Sequence, residues 1–70
     1  SITSAATPEA WYGKTLVEIG VRSRYGINIL AIKDGKKTNI LPGANTVIES
    51  GTVIIIMGTN NDIKRFGSVK

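Results

Sequence analysis

The chain has 70 residues, nine Lys/Arg against five Asp/Glu for a formal charge of +4, and neither cysteine nor histidine. A chain of this length forms one domain with a stability margin on the order of 3–5 kcal/mol, so a partner surface is the expected staple. The missing residue types exclude disulfides, thiolate or imidazole metal sites, Cys–His nucleophile pairs and a Ser-His-Asp triad, and they leave no conventional equipment for catalysis.

The longest apolar run, Val53 to Met57, is far short of the roughly 20 residues that span a bilayer, and the N-terminus has no basic region followed by an apolar one. No direct membrane insertion is expected, and a cysteine-free composition is compatible with a reducing cytoplasm. The opening Ser-Ile-Thr-Ser-Ala-Ala, without an initiator Met, reads as the start of a piece of a longer chain. The sequence pI is near 9.8, yet the cations are dispersed and only Trp11, Tyr12, Tyr25 and Phe66 are aromatic. That pattern predicts solubilising charge with at most a local anion site, and no nucleic-acid partner.

In chain order, Ile2 to Ala6 is small and β-capable and ends at Thr7-Pro8, which predicts a short edge strand or linker over residues 1–10. Thr15, with Glu18 three residues on, forms a capping box for a helix of one or two turns carrying Leu16, Val17 and Ile19, and Gly20 ends or weakens it. Arg22 and Arg24 flank the helix end, where cations meet exposed carbonyls. Ile27 to Ile32 reads as a strand with Ile27, Ile29 and Ala31 on one face. Asp34-Gly35 marks a hairpin to Lys37–Leu41, and Lys36-Lys37 is a solvated tip. Pro42-Gly43-Ala44-Asn45 turns the chain, Thr46-Val47-Ile48 is short and apolar, and Thr52 to Met57 reads as the buried central strand. Asp62 to Phe66 is a short closing helix with a Thr or Asn cap and its cations toward the C-terminal end. The order is β-α-β-β-β-α, an α+β domain with a mainly antiparallel sheet. Neither Gly-x-x-x-x-Gly-Lys-Ser/Thr nor Gly-x-Gly-x-x-Gly occurs, so P-loop and Rossmann nucleotide binding have no support.

The segments Trp11 to Leu16, Arg22 to Lys33, Pro42, Asn45 to Ile48, Glu49-Ser50-Gly51, Val53 to Gly58 and Asn61-Asp62-Ile63 together resemble the TrkA-C family, the C-terminal lobe of RCK regulators of potassium conductance. The resemblance covers residues 11–66 and leaves 67–70 as a tail. It implies a TrkA C-terminal domain-like fold and a homodimeric, cytoplasmic regulatory domain that follows a Rossmann-like lobe. It further implies a potassium channel or transporter subunit in the membrane as partner. In potassium-uptake members it also implies a pocket for cyclic di-AMP, an allosteric ligand rather than a cofactor, between two domains. Carried over by position, Arg22 would face phosphate and Asn28 would read an adenine edge, while Leu16, Ile27 and Pro42 would supply apolar surface and Arg24 would be a second cation. Two positions depart from the family pattern. Gly43-Ala44-Asn45 stands where a second proline or an acidic residue is common, and Thr52 stands where an aspartate is.

Each of these residues also has a plain structural reading. Arg22 and Arg24 serve equally as helix-end cations, and Asn28 as a turn-bonding amide at a strand start. Trp11 and Tyr12 read as a lid over the core or a dimer contact, with base stacking as the alternative. The functional readings are accordingly a cyclic-dinucleotide sensor, a ligand-free dimerisation module, a basic nucleic-acid binder, and last an enzyme.

Overall fold

Alternating burial makes Val53-Ile54-Ile55-Ile56-Met57 a strand, β4 (Val53–Met57), at the centre of a four-stranded sheet in a computed structural model that describes residues 1–69. On one side β4 pairs antiparallel with β1 (Ile2–Ala6), and on the other with β2 (Asn28–Asp34). Beyond β2 lies β3 (Lys37–Ile40), giving the order β1-β4-β2-β3 with β1 at one edge, as expected of it. Asp34 pairs with Lys37 across the hairpin, so its two turn residues are Gly35 and Lys36. The apolar Thr46-Val47-Ile48 adds no strand: Val47 makes an isolated bridge to Thr15, and Ile48 is fully buried in the core. Gly67 belongs to the last helix, and Lys70 lies outside the described residues.

The inner face of the sheet carries the core. Ile54 and Ile56 of β4 are fully buried, opposite Ile32 and Ile29 of β2, and Trp11, Leu16, Ile19, Val21 and Phe66 close over them. Ile29 and Ile32 are three residues apart, an odd spacing that a regular strand would place on opposite faces. A bulge reconciles them: Ile29 pairs with Ile56, Ala31 with Ile55, and Leu30 is the extra residue. The expected face of Ile27, Ile29 and Ala31 is therefore corrected. Ile32 takes the inward place, Ala31 turns to the outer face, and Ile27 precedes the strand with its side chain in the core.

Helices cover the inner face alone. Thr15 caps α1 (Leu16–Ile19) by accepting from the Glu18 N–H while the Glu18 carboxylate accepts from the Thr15 N–H, which is the capping box predicted from sequence. Gly20 ends α1 in the left-handed region at φ 70°, but a second short helix, α2 (Val21–Tyr25), starts at once and ends on Gly26 at φ 68°. A Cβ at Gly26 would lie 2.8 Å from the Asp62 carboxylate of α3 (Asn60–Gly67), so glycine is required there on two counts. Thr59 caps α3 by accepting from the Asp62 N–H, and Arg65 ties it to α2 by donating to Asp62 Oδ1 and to the Tyr25 carbonyl. Trp11 packs against Tyr25 and Phe66 at centroid distances of 5.6 and 5.2 Å, so of its expected roles it fills that of core lid. Its indole N–H is buried without a hydrogen-bond acceptor among the described residues.

One backbone position is strained. Leu41, just past β3, sits at φ 51°, alone among non-glycine residues described here. An L-residue in that region pays roughly 1–2 kcal/mol.

Two measurements check this account. Thr15→Ala removes the cap of α1 and should lower stability by about 1 kcal/mol in urea titrations. Hydrogen bonds from the Thr15 backbone and side chain, aided by Lys14, hold the Glu18 carboxyl below the ordinary carboxylate range. A depressed folded-state value stabilises fully above the unfolded value and is lost as pH falls through the folded one. The urea midpoint should therefore drop on acidification. In Glu18→Gln, whose amide oxygen still accepts but does not titrate, it should drop less, and an unchanged pH slope would remove Glu18 from the explanation.

Candidate ligand cavity

The outer end of β2 and the two short helices enclose an open cavity of about 530 Å³, within the roughly 300–1,000 Å³ usual for small-molecule sites. One wall is α1 and α2, contributing Leu16, Val17, Val21 and Arg22. The floor is Asn28, Ile29 and Leu30 of β2 with Met57 of β4. The opposite wall is the loop after β3, through Leu41, Pro42 and Ala44.

The loop is held from both sides by its backbone. The Leu41 N–H donates to the Leu30 carbonyl at 2.8 Å, the Val17 N–H to the Ala44 carbonyl at 3.0 Å, and the Leu16 N–H to the Thr46 carbonyl at 3.2 Å. Both walls are thus fixed by hydrogen bonds that use up the free N–H groups at the start of α1. Pro42 suits such a loop, since it has no N–H to leave unpaired.

Four of the six sequence-predicted site residues come together here. Leu16, Arg22, Asn28 and Pro42 all line the cavity, although they derive from α1, α2, β2 and the loop. Two do not. Ile27 is fully buried against the core, with its Cγ2 3.1 Å from where a Cβ on Gly58 would stand, and it has no surface to offer. Arg24 lies in the last turn of α2 and does not line the cavity, although its stem passes over Gly20, which does.

The site is largely apolar with three polar side chains, Arg22, Ser23 and Asn28, of which Ser23 donates its hydroxyl to the Gly20 carbonyl at 3.4 Å. Among the described residues neither the Arg22 guanidinium nor the Asn28 amide makes a hydrogen bond or ion pair, in contrast with Arg65, whose Nη2 donates to Asp62 Oδ1 and to the Tyr25 carbonyl. Arg22 brings five donors in a fork that fits two phosphate oxygens, and Asn28 brings a donor and an acceptor side by side. Such a set can bind and orient an anion with attached rings. It contains no acid or base suited to proton transfer near neutral pH. Among the described residues no group of three or more acidic side chains could hold a metal ion.

Sequence reasoning missed Val17, Leu41 and Met57, all cavity-lining and all substantially exposed. Val17 had a signal, because a valine between Leu16 and Glu18 on a helix whose Leu16 and Ile19 point inward must face out. Leu41 had none, because its place depends on its pairing with the bulged Leu30.

The outer face of the sheet adjoins the cavity. Cross-strand partners put Ile2, Met57 and Asn28 in one row, Ser4, Ile55, Ala31 and Ile40 in the next, and Ala6, Val53 and Lys33 in the third. No helix covers these rows, and Ile2 and Ile40 are 64% and 71% exposed. An antiparallel sheet open to water on one side ordinarily alternates apolar and polar residues, whereas β4 is apolar on both faces.

Comparison with known proteins places this architecture. The profile of the TrkA-C domain family matches residues 4–69. The Ktr system potassium uptake protein C of Bacillus subtilis is 44% identical over 54 residues, which are 77% of this chain and 24% of that protein. This chain thus spans about a quarter of that relative's length. A solved structure of the RCK C domain of the potassium transport protein KtrA in complex with cyclic di-AMP superposes with a TM-score of 0.88 at 39% identity, covering 94% of this chain and 78% of that one. The RCK_C domain dimer of S. agalactiae BusR, also with cyclic di-AMP, gives 0.85 at 26% identity, covering 97% and 92%. BusR has been solved with its promoter DNA as well, where the match covers 35% of that chain. With an α+β sheet of matching topology and a family profile spanning nearly all its residues, the chain belongs to the TrkA-C domain family.

Proposed function

We propose that this chain is the cytoplasmic regulatory domain of a potassium channel or transporter, and that two copies hold one cyclic di-AMP between them. The observation that carries this reading is the convergence of Leu16, Arg22, Asn28 and Pro42 on one largely apolar cavity in which the Arg22 and Asn28 side chains are unengaged within the described residues. A cyclic dinucleotide has two phosphates and two flat bases. It asks for a cation near each phosphate, a mixed donor and acceptor for each adenine edge, and apolar surface for the rings.

A symmetric pair would supply each of these twice. The ligand is itself two-fold, so a dimer axis through it would set one Arg22 on each phosphate. The exposed rows of the outer sheet face, continuous with the cavity at Met57 and Asn28, favour pairing of copies there, and a domain this small gains stability from that cover. The similarity to the KtrA and BusR domains, both solved with this ligand, supports the same choice. The domain would sense and not catalyse, and it would meet the membrane through its transport partner; among the described residues no helix is long and apolar enough to cross a membrane.

The apolar outer rows also favour a second reading, a dimerisation module without ligand, since they call for cover whether or not the cavity is filled. Two substitutions separate the readings. Arg22→Ala should weaken every cyclic dinucleotide alike, by about 1.5–3 kcal/mol per charge-assisted bond lost. Asn28→Ala should chiefly reduce discrimination between cyclic di-AMP and cyclic di-GMP, whose guanine edge has another donor and acceptor pattern. Titration calorimetry reads both, with melting and sedimentation as controls that must match the parent. Parent-like binding by both variants would reject the residue assignment while leaving the family intact.

A further inference from the structure

The cavity carries a feature that neither the comparisons nor the family pattern assigns. Leu41 combines two unfavourable properties: its backbone is in the left-handed region at φ 51°, and its side chain is 72% exposed. Left-handed positions are ordinarily filled by Gly, Asn or Asp, and an exposed leucine contributes little to folding. A flexible glycine stands two residues away at Gly43, where a Cβ would meet nothing within 4 Å. The strain is thus located on the bulkier residue. Backbone strain of this kind, held in place by the surrounding structure, clusters at active sites and ligand clamps.

The surrounding bonds are visible. The Leu41 N–H is held by the carbonyl of Leu30, the bulged residue of β2. That bond and the positive φ turn the chain out of β3, and they put the Leu41 side chain into the wall of the cavity between Leu30 and Pro42. Resting on the ligand reading above, we infer that Leu41 is a base-contacting residue: its isobutyl group covers one face of the purine whose edge Asn28 meets. Leu30, half-buried beside it, extends the same apolar surface. A purine ring presents a flat apolar face that a branched aliphatic side chain covers well. The backbone at Leu41 sets the direction of its Cβ toward the cavity wall before the ligand arrives, which lowers the ordering cost of binding.

The test uses Leu41→Ala, which removes the side chain, and Leu41→Asn, which also removes the apolar contact while suiting the left-handed backbone. Calorimetry with cyclic di-AMP at several temperatures should show affinity at least roughly tenfold lower for both, the loss expected from forfeiting a buried aliphatic group. The heat-capacity change of binding should become less negative, a signature that a merely structural role would not move. Without ligand, sedimentation should be unchanged, and Leu41→Asn should melt no lower than the parent. Parent-like affinity in both variants overturns the inference and leaves the ligand reading standing. Dissociation of the unliganded dimer overturns it too, by making Leu41 a contact between copies. A parent chain that binds no cyclic di-AMP overturns the ligand reading and this inference together.

Discussion

The extra residue in β2 at Leu30 is the constraint on which the rest of the molecule depends. Without it, Ile29 and Ile32 could not both face inward, and the core would lose either the partner of Ile56 or that of Ile54. Both of those β4 residues are fully buried. Placing an aliphatic side chain outside instead of in the core forfeits about 1.5–3 kcal/mol, a large part of the margin of a 70-residue domain. The bulge also gives its carbonyl to Leu41, and through that bond it ends β3 and sets the loop that forms one wall of the cavity. One local irregularity therefore serves the inner face and the outer site at once.

The second organising feature is that the helices lie on one face only. A left-handed Gly20 breaks what would be one helix into two short ones and a left-handed Gly26 ends the second, and the break lets α2 turn to meet α3 while still presenting Arg22 to the cavity. Arg65 and Arg22 illustrate how context separates two similar residues. The first gives one guanidinium nitrogen to Asp62 and Tyr25, whereas the second has no hydrogen-bond partner among the described residues. A cation kept available beside an apolar surface is the combination by which an anionic, ring-bearing ligand is recognised without chemistry being done to it. Regulation by such a ligand requires one arrangement of the paired domains to bind it better than another, since equal affinity shifts no equilibrium.

Much of this was legible in the sequence where local rules decide. Thr15 and Glu18 specify their capping box by spacing alone, Thr59 and the late cations Lys64 and Arg65 frame α3, and the β-branched run from Val53 marks the central strand. Leu16, Arg22, Asn28 and Pro42 were reachable through resemblance to a family. What remained hidden was set by pairing between distant segments. A bulge leaves no mark in Asn28-Ile29-Leu30-Ala31-Ile32, where simple alternation predicts Ala31 inward, and Ile27, carried over as ligand surface by the resemblance alone, is fully buried. The second helix was obscured because Gly20 reads as a stop, and nothing in Val21 to Tyr25 shows that a new turn begins immediately. Leu41 looked like the end of a strand because a positive φ at a leucine is the outcome that propensity argues against.

The central claim is that the cavity is half of a two-fold site for a cyclic dinucleotide. Titration calorimetry of the parent chain with cyclic di-AMP, with ATP and ADP as controls, tests it most directly when combined with the sedimentation mass of the same sample. The account predicts a saturating signal at one ligand per two chains, a dimer mass with and without ligand, and no comparable signal from either control. A monomer at high micromolar concentration that gives no heat with cyclic di-AMP would contradict it.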